Sequence, residues 1–305
     1  MHAVLHATPN ARRGFTLVEL MVVIVIISIL SALTLAGLAG ARQRAKIDKT
    51  KSTIRKIHEI VMPQYESYLT RRLPNSIYTS GTNAIQRATD RLRAIRTVTL
   101  YEMPDSWNDV ALSGTSPLLS SGTIPAYAFT GLPASYGAFR WSIRTTLTDD
   151  DYPSSECLYM ATSRFSGNAM ENFRTDEIGD FDKDRAPEFA DGWGRPIAFI
   201  RWPTGFVYPY SPIQSNLPAD SHDPFDPFGI EKQATALTPL IYSAGVDGDG
   251  TDGYGLVTLA GRASWGDLSQ IFSVTHNGQK PGHPKTANPD DYRDNITNHD
   301  LISKR

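Results

Sequence analysis

The sequence predicts an α+β fold in which a long N-terminal helix, with a membrane-spanning first half, packs on a small antiparallel β-sheet with loop insertions. Three observations support this. Residues 20–41 carry no charge, and apolar residues then recur at a helical period as far as Tyr68. Short segments with the alternation typical of strands follow in the second half of the chain. Short strands after a long helix favour an α+β architecture.

Residues 20–41 are long enough to cross a membrane, since a helix rises ~1.5 Å per residue and the hydrocarbon layer is ~30 Å thick. A secretory signal peptide would place its small-residue cleavage site after a shorter apolar core, whereas the break at Arg13 and Gly14 comes before this one. A single carboxylate, Glu19, lies near the start of the apolar stretch. A charge there costs at least ~2.5 kcal/mol on insertion scales, which predicts a functional role.

The amphipathic continuation predicts a single helix over residues 15–72. Pro63 is expected to kink this helix, and the Leu73-Pro74 pair to end it. The apolar face consists of Ile47, Ile54, Ile57, Val61, Tyr65 and Tyr68.

Beyond the long helix, the pattern predicts a second helix over residues 84–97 and a connecting loop over 104–124. Strands are predicted within the segments 138–145, 195–202, 239–245 and 255–260. The last part of the chain, 276–305, is rich in Asn, Asp, Pro and Lys and is expected to be a loosely ordered tail.

The stretch "RGFTLVEL" from Arg13 resembles the type IV prepilin motif, which is shared by pilins and by the pseudopilins of type II secretion. The resemblance implies a leader over residues 1–14, cleavage by a prepilin peptidase between Gly14 and Phe15, and N-methylation of Phe15. Glu19 would then be the fifth residue of the mature chain. In a filament core it could pair with the Phe15 amine of a neighbouring subunit, so that neither charge is buried alone.

The same resemblance implies a single-pass protein of the bacterial inner membrane, with a cytoplasmic N-terminus and a periplasmic globular domain. The positive-inside rule alone would predict the opposite orientation, because more Lys and Arg follow the apolar run than precede it. The implied organisation is a leader (1–14), a spine helix (15–73), a globular domain (74–275) and a polar tail (276–305).

Two further segments resemble the major pseudopilin of type II secretion. "FADGWGRPIAFI" is similar to that family's Asp-x-Trp-Gly-x-Pro stretch, and "PLIYSAGVDGDGTDG" to its Ser-x-Gly-x-Asp-Gly loop, in the same order. The resemblance implies a homopolymer that helps export proteins and that contacts the prepilin peptidase and an inner-membrane assembly platform. One alternative is a type IV pilin for adhesion, motility or DNA uptake, although the single cysteine, Cys157, forbids the disulfide that many pilins carry. The other is a ligand-binding or enzymatic domain on a pilin anchor.

In the related family the Ser-x-Gly loop binds calcium, and the resemblance carries this role to Ser243 and Asp247. The residues themselves agree, because carboxylates and hydroxyls are calcium ligands and the intervening glycines allow a tight fold around an ion. Asp249 and Asp252 are further candidate ligands in this loop. The alternative is a solvated Asp-Gly turn without an ion.

A second acidic run, "DFDKDRAPE", offers a weaker calcium site at Asp180, Asp182, Asp184 and Glu188. These are the first, third, fifth and ninth positions of an EF-hand loop. Arg185 stands at the sixth position, where that loop requires glycine, and the flanks do not suggest paired helices. The competing interpretation is a solvated acidic turn.

The bulk composition and the remaining residues argue against other functions. A formal net charge of −2 gives no reason to expect nucleic acid as a partner. The histidines are scattered and no nucleophile-elbow or zincin motif is present, so we expect no enzymatic activity. Cys157 is predicted to be a small buried residue.

Overall fold

A single long helix, α1, covers Leu17–Thr70 and so lies within two residues of the predicted bounds at each end. The computed structural model describes residues 14–72, 83–106, 109, 152–165, 168–246, 248, 254–258, 268–275, 278–285 and 292–302. The strand predicted within 138–145 lies outside these residues. The chain divides into two compact units, Met1–Ala45 and Lys46–Arg305.

In the first unit, α1 is long and apolar enough to cross a membrane, and its most apolar window is not buried at all. The large apolar side chains from Phe15 to Leu38 are 45–84% exposed. Such a surface is stable only in lipid or against other apolar helices.

In the second unit, α1 presents the predicted amphipathic face to the core. Ile54, Ile57 and Val61 are fully buried, and Tyr65 and Tyr68 nearly so. They pack in one apolar cluster with residues from the other helices and the sheet. The helical period read from the sequence therefore gives the correct buried face.

Helix α2 covers Ala84–Glu102, so the predicted helix is confirmed and extends about one turn further. The side chain of Asn83 caps it by accepting a hydrogen bond of 2.8 Å from the Gln86 amide. Helix α3, Pro153–Phe165, was not predicted. It carries Cys157, which is buried as expected. Short 3₁₀ helices lie at Ala169–Asn172, Thr175–Glu177 and Ile271–Ser273.

Within the described residues, five short strands form two antiparallel sheets. A hairpin joins β1 (Ile178–Gly179) to β2 (Glu188–Phe189), and a three-stranded sheet has the order β3–β4–β5. These three strands are Ala198–Ile200, Leu240–Ser243 and Ile296–Thr297. Strands β3 and β4 confirm the predictions within 195–202 and 239–245, and the fold is α+β as predicted.

The three-stranded sheet packs against an apolar cluster on each face, because successive side chains of a strand point to opposite faces. Ile241 and Phe199 belong to the cluster that includes α1. Tyr242, one residue along β4, points into a second cluster on the other face. The strand predicted within 255–260 is wrong over the described residues 254–258, where Leu256 forms only an isolated bridge to Pro284.

The prediction of a loosely ordered C-terminal tail is wrong for residues 292–302, which contain β5 and a short helix, α4 (Asn298–Ile302). The Asn298 side chain accepts a hydrogen bond of 2.9 Å from the Ile241 amide and donates one of 2.9 Å to the Pro239 carbonyl. The polar composition is misleading here because the Asn298 side chain is buried and its hydrogen bonds are satisfied.

Buried ion pairs hold α2 to the later part of the chain. Arg96 lies 2.8 Å from an Asp223 carboxylate oxygen and 2.9 Å from one of Glu231, and all three side chains are buried. Because the two acids converge on one guanidinium, each depends on it for charge compensation.

Candidate functional site

The predicted processing site, the bond between Gly14 and Phe15, lies just before α1. Phe15 is 84% exposed, and a side chain at Gly14 would meet no heavy atom within 4 Å. Both residues precede the first residue of α1, Leu17. None of the described residues therefore covers the bond between Gly14 and Phe15, as cleavage there would require.

Glu19 is held in the first turn of α1 by a reciprocal capping box with Thr16. The Thr16 amide and hydroxyl donate to Glu19 Oε2 at 2.8 and 2.9 Å, and the Glu19 amide donates to Thr16 Oγ1 at 3.2 Å. Among the described residues, Glu19 Oε1 accepts no hydrogen bond. Sequence analysis missed Thr16, although the Thr-x-x-Glu spacing before an apolar run is the signal for this cap.

The calcium loop predicted from the pseudopilin resemblance is only partly described by the structure. Ser243 ends β4 and is fully buried; its hydroxyl donates to Asp191 Oδ2 at 2.7 Å and accepts from the Gly245 amide at 3.2 Å. Asp247, Asp249 and Asp252 lie outside the described residues. The four-ligand site therefore stays a prediction.

The partner of Ser243, Asp191, organises the Trp-Gly turn. Its Oδ1 accepts hydrogen bonds from the Trp193 amide at 2.8 Å and the Arg195 amide at 2.9 Å. The turn also closes on α1, since the Gly192 amide donates to Thr50 Oγ1 at 2.8 Å. A side chain at Gly192 would overlap the backbone of α1, so this contact needs glycine. The two pseudopilin-like segments thus contact each other next to α1.

The second acidic run forms the loop of the β1–β2 hairpin, which explains why its flanks are not helices. We call residues 180–188 the acidic loop. Asp180, Asp182 and Asp184 place carboxylate oxygens within 4.8 Å of one another. Asp182 and Glu188 form a second such group with Glu156 of α3, which sequence analysis did not identify.

The backbone of the acidic loop is left-handed at two positions, one of which is the position that an EF-hand loop reserves for glycine. Arg185, at the position expected to be glycine, has φ 85°, and Lys183 has φ 68°. The loop is pinned by its own aspartates: Asp180 accepts from the Arg185 amide at 3.2 Å, and Asp184 from the Ala186 amide at 2.7 Å. Arginine therefore does not prevent this fold of the loop.

The electrostatics of the acidic loop are those of crowded, poorly compensated carboxylates. Burial raises the pKa of Glu188 to about 8, and the nearby negative charges of Asp182, Asp180 and Asp184 add to the shift. Burial also raises the pKa of Asp182, as does the charge of Asp184. Each shift indicates a site that favours an added positive charge.

Comparison with known proteins bears on the N-terminal segment. The family model described as the prokaryotic N-terminal methylation motif matches residues 9–35, a range that includes Gly14, Phe15 and Glu19. No curated protein and no solved structure matches the chain. The matched motif implies processing by a prepilin peptidase and pilus-like assembly, and the apolar part of α1 fits a single-pass inner-membrane protein. The N-terminal segment of this chain therefore carries the prokaryotic N-terminal methylation motif and is similar to that of type IV prepilin-like proteins.

Proposed function

We propose that the chain is a pseudopilin, a subunit that polymerises into a periplasmic filament of a type II secretion-like system and helps export proteins. The observation that carries the proposal is the exposed apolar surface of α1 between Phe15 and Leu38, which begins beside a single carboxylate. Lipid can cover this surface in the isolated subunit. In a filament, the same helices of neighbouring subunits can cover one another.

Glu19 supplies the assembly contact in this proposal. One of its oxygens, Oε2, caps its own helix through Thr16. The other oxygen is open to the Phe15 amine that peptidase cleavage creates on a neighbouring subunit. In an apolar filament core this pair would neutralise two charges that are each costly alone, so it would favour one axial register between subunits.

The choice of a pseudopilin over a surface pilin is supported by the contact between the two pseudopilin-like segments. The Ser243–Asp191 hydrogen bond and the hydrogen bond of 3.1 Å from Arg195 to the Gly245 carbonyl join the Ser-x-Gly loop to the Trp-Gly turn. The single cysteine supports the same choice, because no disulfide can close a C-terminal loop in this chain.

Mass analysis of the chain purified from its native membrane tests the processing step. We expect a chain that begins at Phe15 and carries one extra methyl group. Gly14→Val is expected to keep the leader, because a branched side chain fills the space that the peptidase must approach, whereas Ala11→Val in the leader should be processed normally. A mature chain that retains residue 1 would contradict the proposal.

Deletion of the gene distinguishes the two filament classes. We expect exported proteins to accumulate in the periplasm and surface fibres to be unaffected, and export to return with the wild-type gene but not with Gly14→Val. Loss of surface fibres with normal export would instead identify a type IV pilin.

A further inference from the structure

Five carboxylates from two separate elements converge at the acidic loop. Asp180, Asp182 and Asp184 form one group, and Asp182, Glu188 and Glu156 form another, each with ligand oxygens within 4.8 Å of one another. Two ligands on opposite sides of a calcium ion lie about 5 Å apart, because each is ~2.3–2.6 Å from the ion. The spacing within each group therefore fits a cation held by its three carboxylates. Asp182 belongs to both groups.

Glu188 points to a cation independently of the number of acids. It is fully buried, its Oε2 accepts a hydrogen bond of 3.1 Å from the Phe181 amide, and its Oε1 has no hydrogen-bond partner among the described residues. Asp182 Oδ2 is likewise buried without a partner in the described part of the chain. Both residues belong to the second group, and buried acceptors of this kind are rare unless a ligand satisfies them.

Within the part of the chain that the structure describes, no basic side chain forms an ion pair with the four carboxylates of the acidic loop, although Lys183 and Arg185 belong to the same loop. None of the ion pairs there involves Asp180, Asp182, Asp184 or Glu188. By contrast, the neighbouring Glu177 is paired with Lys56 at 2.8 Å. The four carboxylates of the loop therefore outnumber its two basic residues and are not directly paired with them.

Apolar packing fixes the two buried glutamates in place. Tyr159 of α3 packs against Phe189 of β2 with ring centroids 5.3 Å apart and ring planes tilted by 52°. Glu156 lies one turn before Tyr159 on α3, and Glu188 lies directly before Phe189 on β2, so the packing of α3 against β2 fixes the two backbones whose glutamates form the second group. A cation between them would offset the repulsion of their charges.

We propose that the acidic loop binds a calcium ion that joins the β1–β2 hairpin to α3. The ligands are carboxylate oxygens of Glu156, Asp182 and Glu188, and Asp180 and Asp184, which form the other group with Asp182, add negative charge nearby. Calcium fits better than magnesium, because it accepts six to eight oxygens in flexible geometry, whereas magnesium keeps several waters and demands octahedral order. Zinc is disfavoured because the two groups contain neither cysteine nor histidine. The proposal is independent of the filament function and of the loop at Ser243.

Thermal unfolding of the full chain in detergent, with added CaCl2 or with EGTA, tests this site. We expect wild type to unfold about 5–10 °C higher at a calcium concentration roughly one hundred times Kd. Glu188→Gln should lose that rise and should unfold at a higher temperature than wild type in EGTA, because it replaces a carboxyl group that is costly to ionise in this site with an amide that can donate to Asp182. A variant that only loses a ligand should be more stable than wild type in EGTA, whereas a misfolded variant should be less stable than wild type in both conditions.

Two controls separate the acidic loop from other acids. Asp220→Asn removes an exposed carboxylate elsewhere and should keep the full calcium response. Asp247→Asn removes a predicted ligand of the loop at Ser243. Its unfolding temperature should still rise with calcium by the amount that Glu188→Gln loses. A wild-type chain without any calcium response, or a Glu188→Gln variant with a full one, would overturn the proposal.

Discussion

Ser243 and Asp191 are joined by a buried hydrogen bond of 2.7 Å between the serine hydroxyl and a carboxylate oxygen. The bond connects the end of β4 to the Trp-Gly turn, whose Gly192 lies against α1. The hydroxyl that the pseudopilin resemblance assigns to calcium thus already has a structural role. These two roles of Ser243 predict different responses to its removal.

Ser243→Ala is expected to destabilise the chain by about 1–3 kcal/mol, because it leaves a buried carboxylate oxygen of Asp191 without its donor. The loss should be equal in calcium and in EGTA. Chemical unfolding of the full chain in detergent, followed by tryptophan fluorescence, measures it. Ser52→Ala, at an exposed position of α1, should change stability by no more than about 0.5 kcal/mol. A loss seen only in calcium would make the Ser243 hydroxyl primarily an ion ligand.

Arg96→Met is expected to cost about 3–5 kcal/mol of unfolding free energy, since it leaves Asp223 and Glu231 buried without their shared cation. Burial already raises the pKa of both acids, so they would take up protons in the variant. Arg91→Met on the same helix is a half-buried control and should change stability by less than about 0.5 kcal/mol. Equal effects of the two substitutions would argue against the buried triad.

His299 predicts a loss of stability in acid. It is fully buried, and burial lowers its pKa to about 4 from an ordinary 6.5. Its Nε2 lies 3.1 Å from the Thr238 carbonyl and its Nδ1 2.8 Å from the Ser211 hydroxyl, a pattern that suits a neutral ring with the proton on Nε2.

The unfolded chain therefore binds a proton at His299 more tightly than the folded chain does. Stability contributed by the neutral ring is complete above pH 6.5 and falls by about 3 kcal/mol as the pH drops to 4. Unfolding of His299→Gln across this range should show a smaller decline than wild type, whereas His283→Gln should decline as wild type does. Parallel curves for wild type and His299→Gln would contradict this assignment.

The sequence predicts correctly those helices and strands whose apolar residues recur at a regular period or in short runs. The face of α1 at Ile54, Ile57 and Val61 follows from a helical period, and β3 and β4 follow from their short apolar runs. Helix α3 was missed because small and polar residues interrupt its apolar face, although Pro153 at its first position and Glu156 in its first turn are start signals.

Buried polar groups were the main source of error. Asn298 and His299 suggested a solvated tail by composition, yet both are buried because backbone and hydroxyl groups satisfy them. The convergence of Glu156 with Glu188 depends on the packing of α3 against β2, which is a tertiary property. No spacing in the sequence links those two glutamates.

Thr16→Ala separates helix capping from assembly. Loss of the capping residue is expected to weaken the first turn of α1 by about 1 kcal/mol. The charge of Glu19 remains in this variant, so filaments should still form. Circular dichroism of the full chain in detergent and electron microscopy of the assembled material measure the two effects. A complete loss of filaments would show that the cap itself is required.

Glu19→Gln provides the most direct measurement of the central claim, because glutamine preserves the capping box with Thr16 but removes the negative charge. Filaments formed by the purified, processed chain can be counted by electron microscopy and by sedimentation. We predict that Glu19→Gln remains helical and membrane-inserted but fails to polymerise, whereas wild type and Thr16→Ala polymerise. Filaments of Glu19→Gln equal in number and length to those of wild type would contradict the claim that this carboxylate guides assembly.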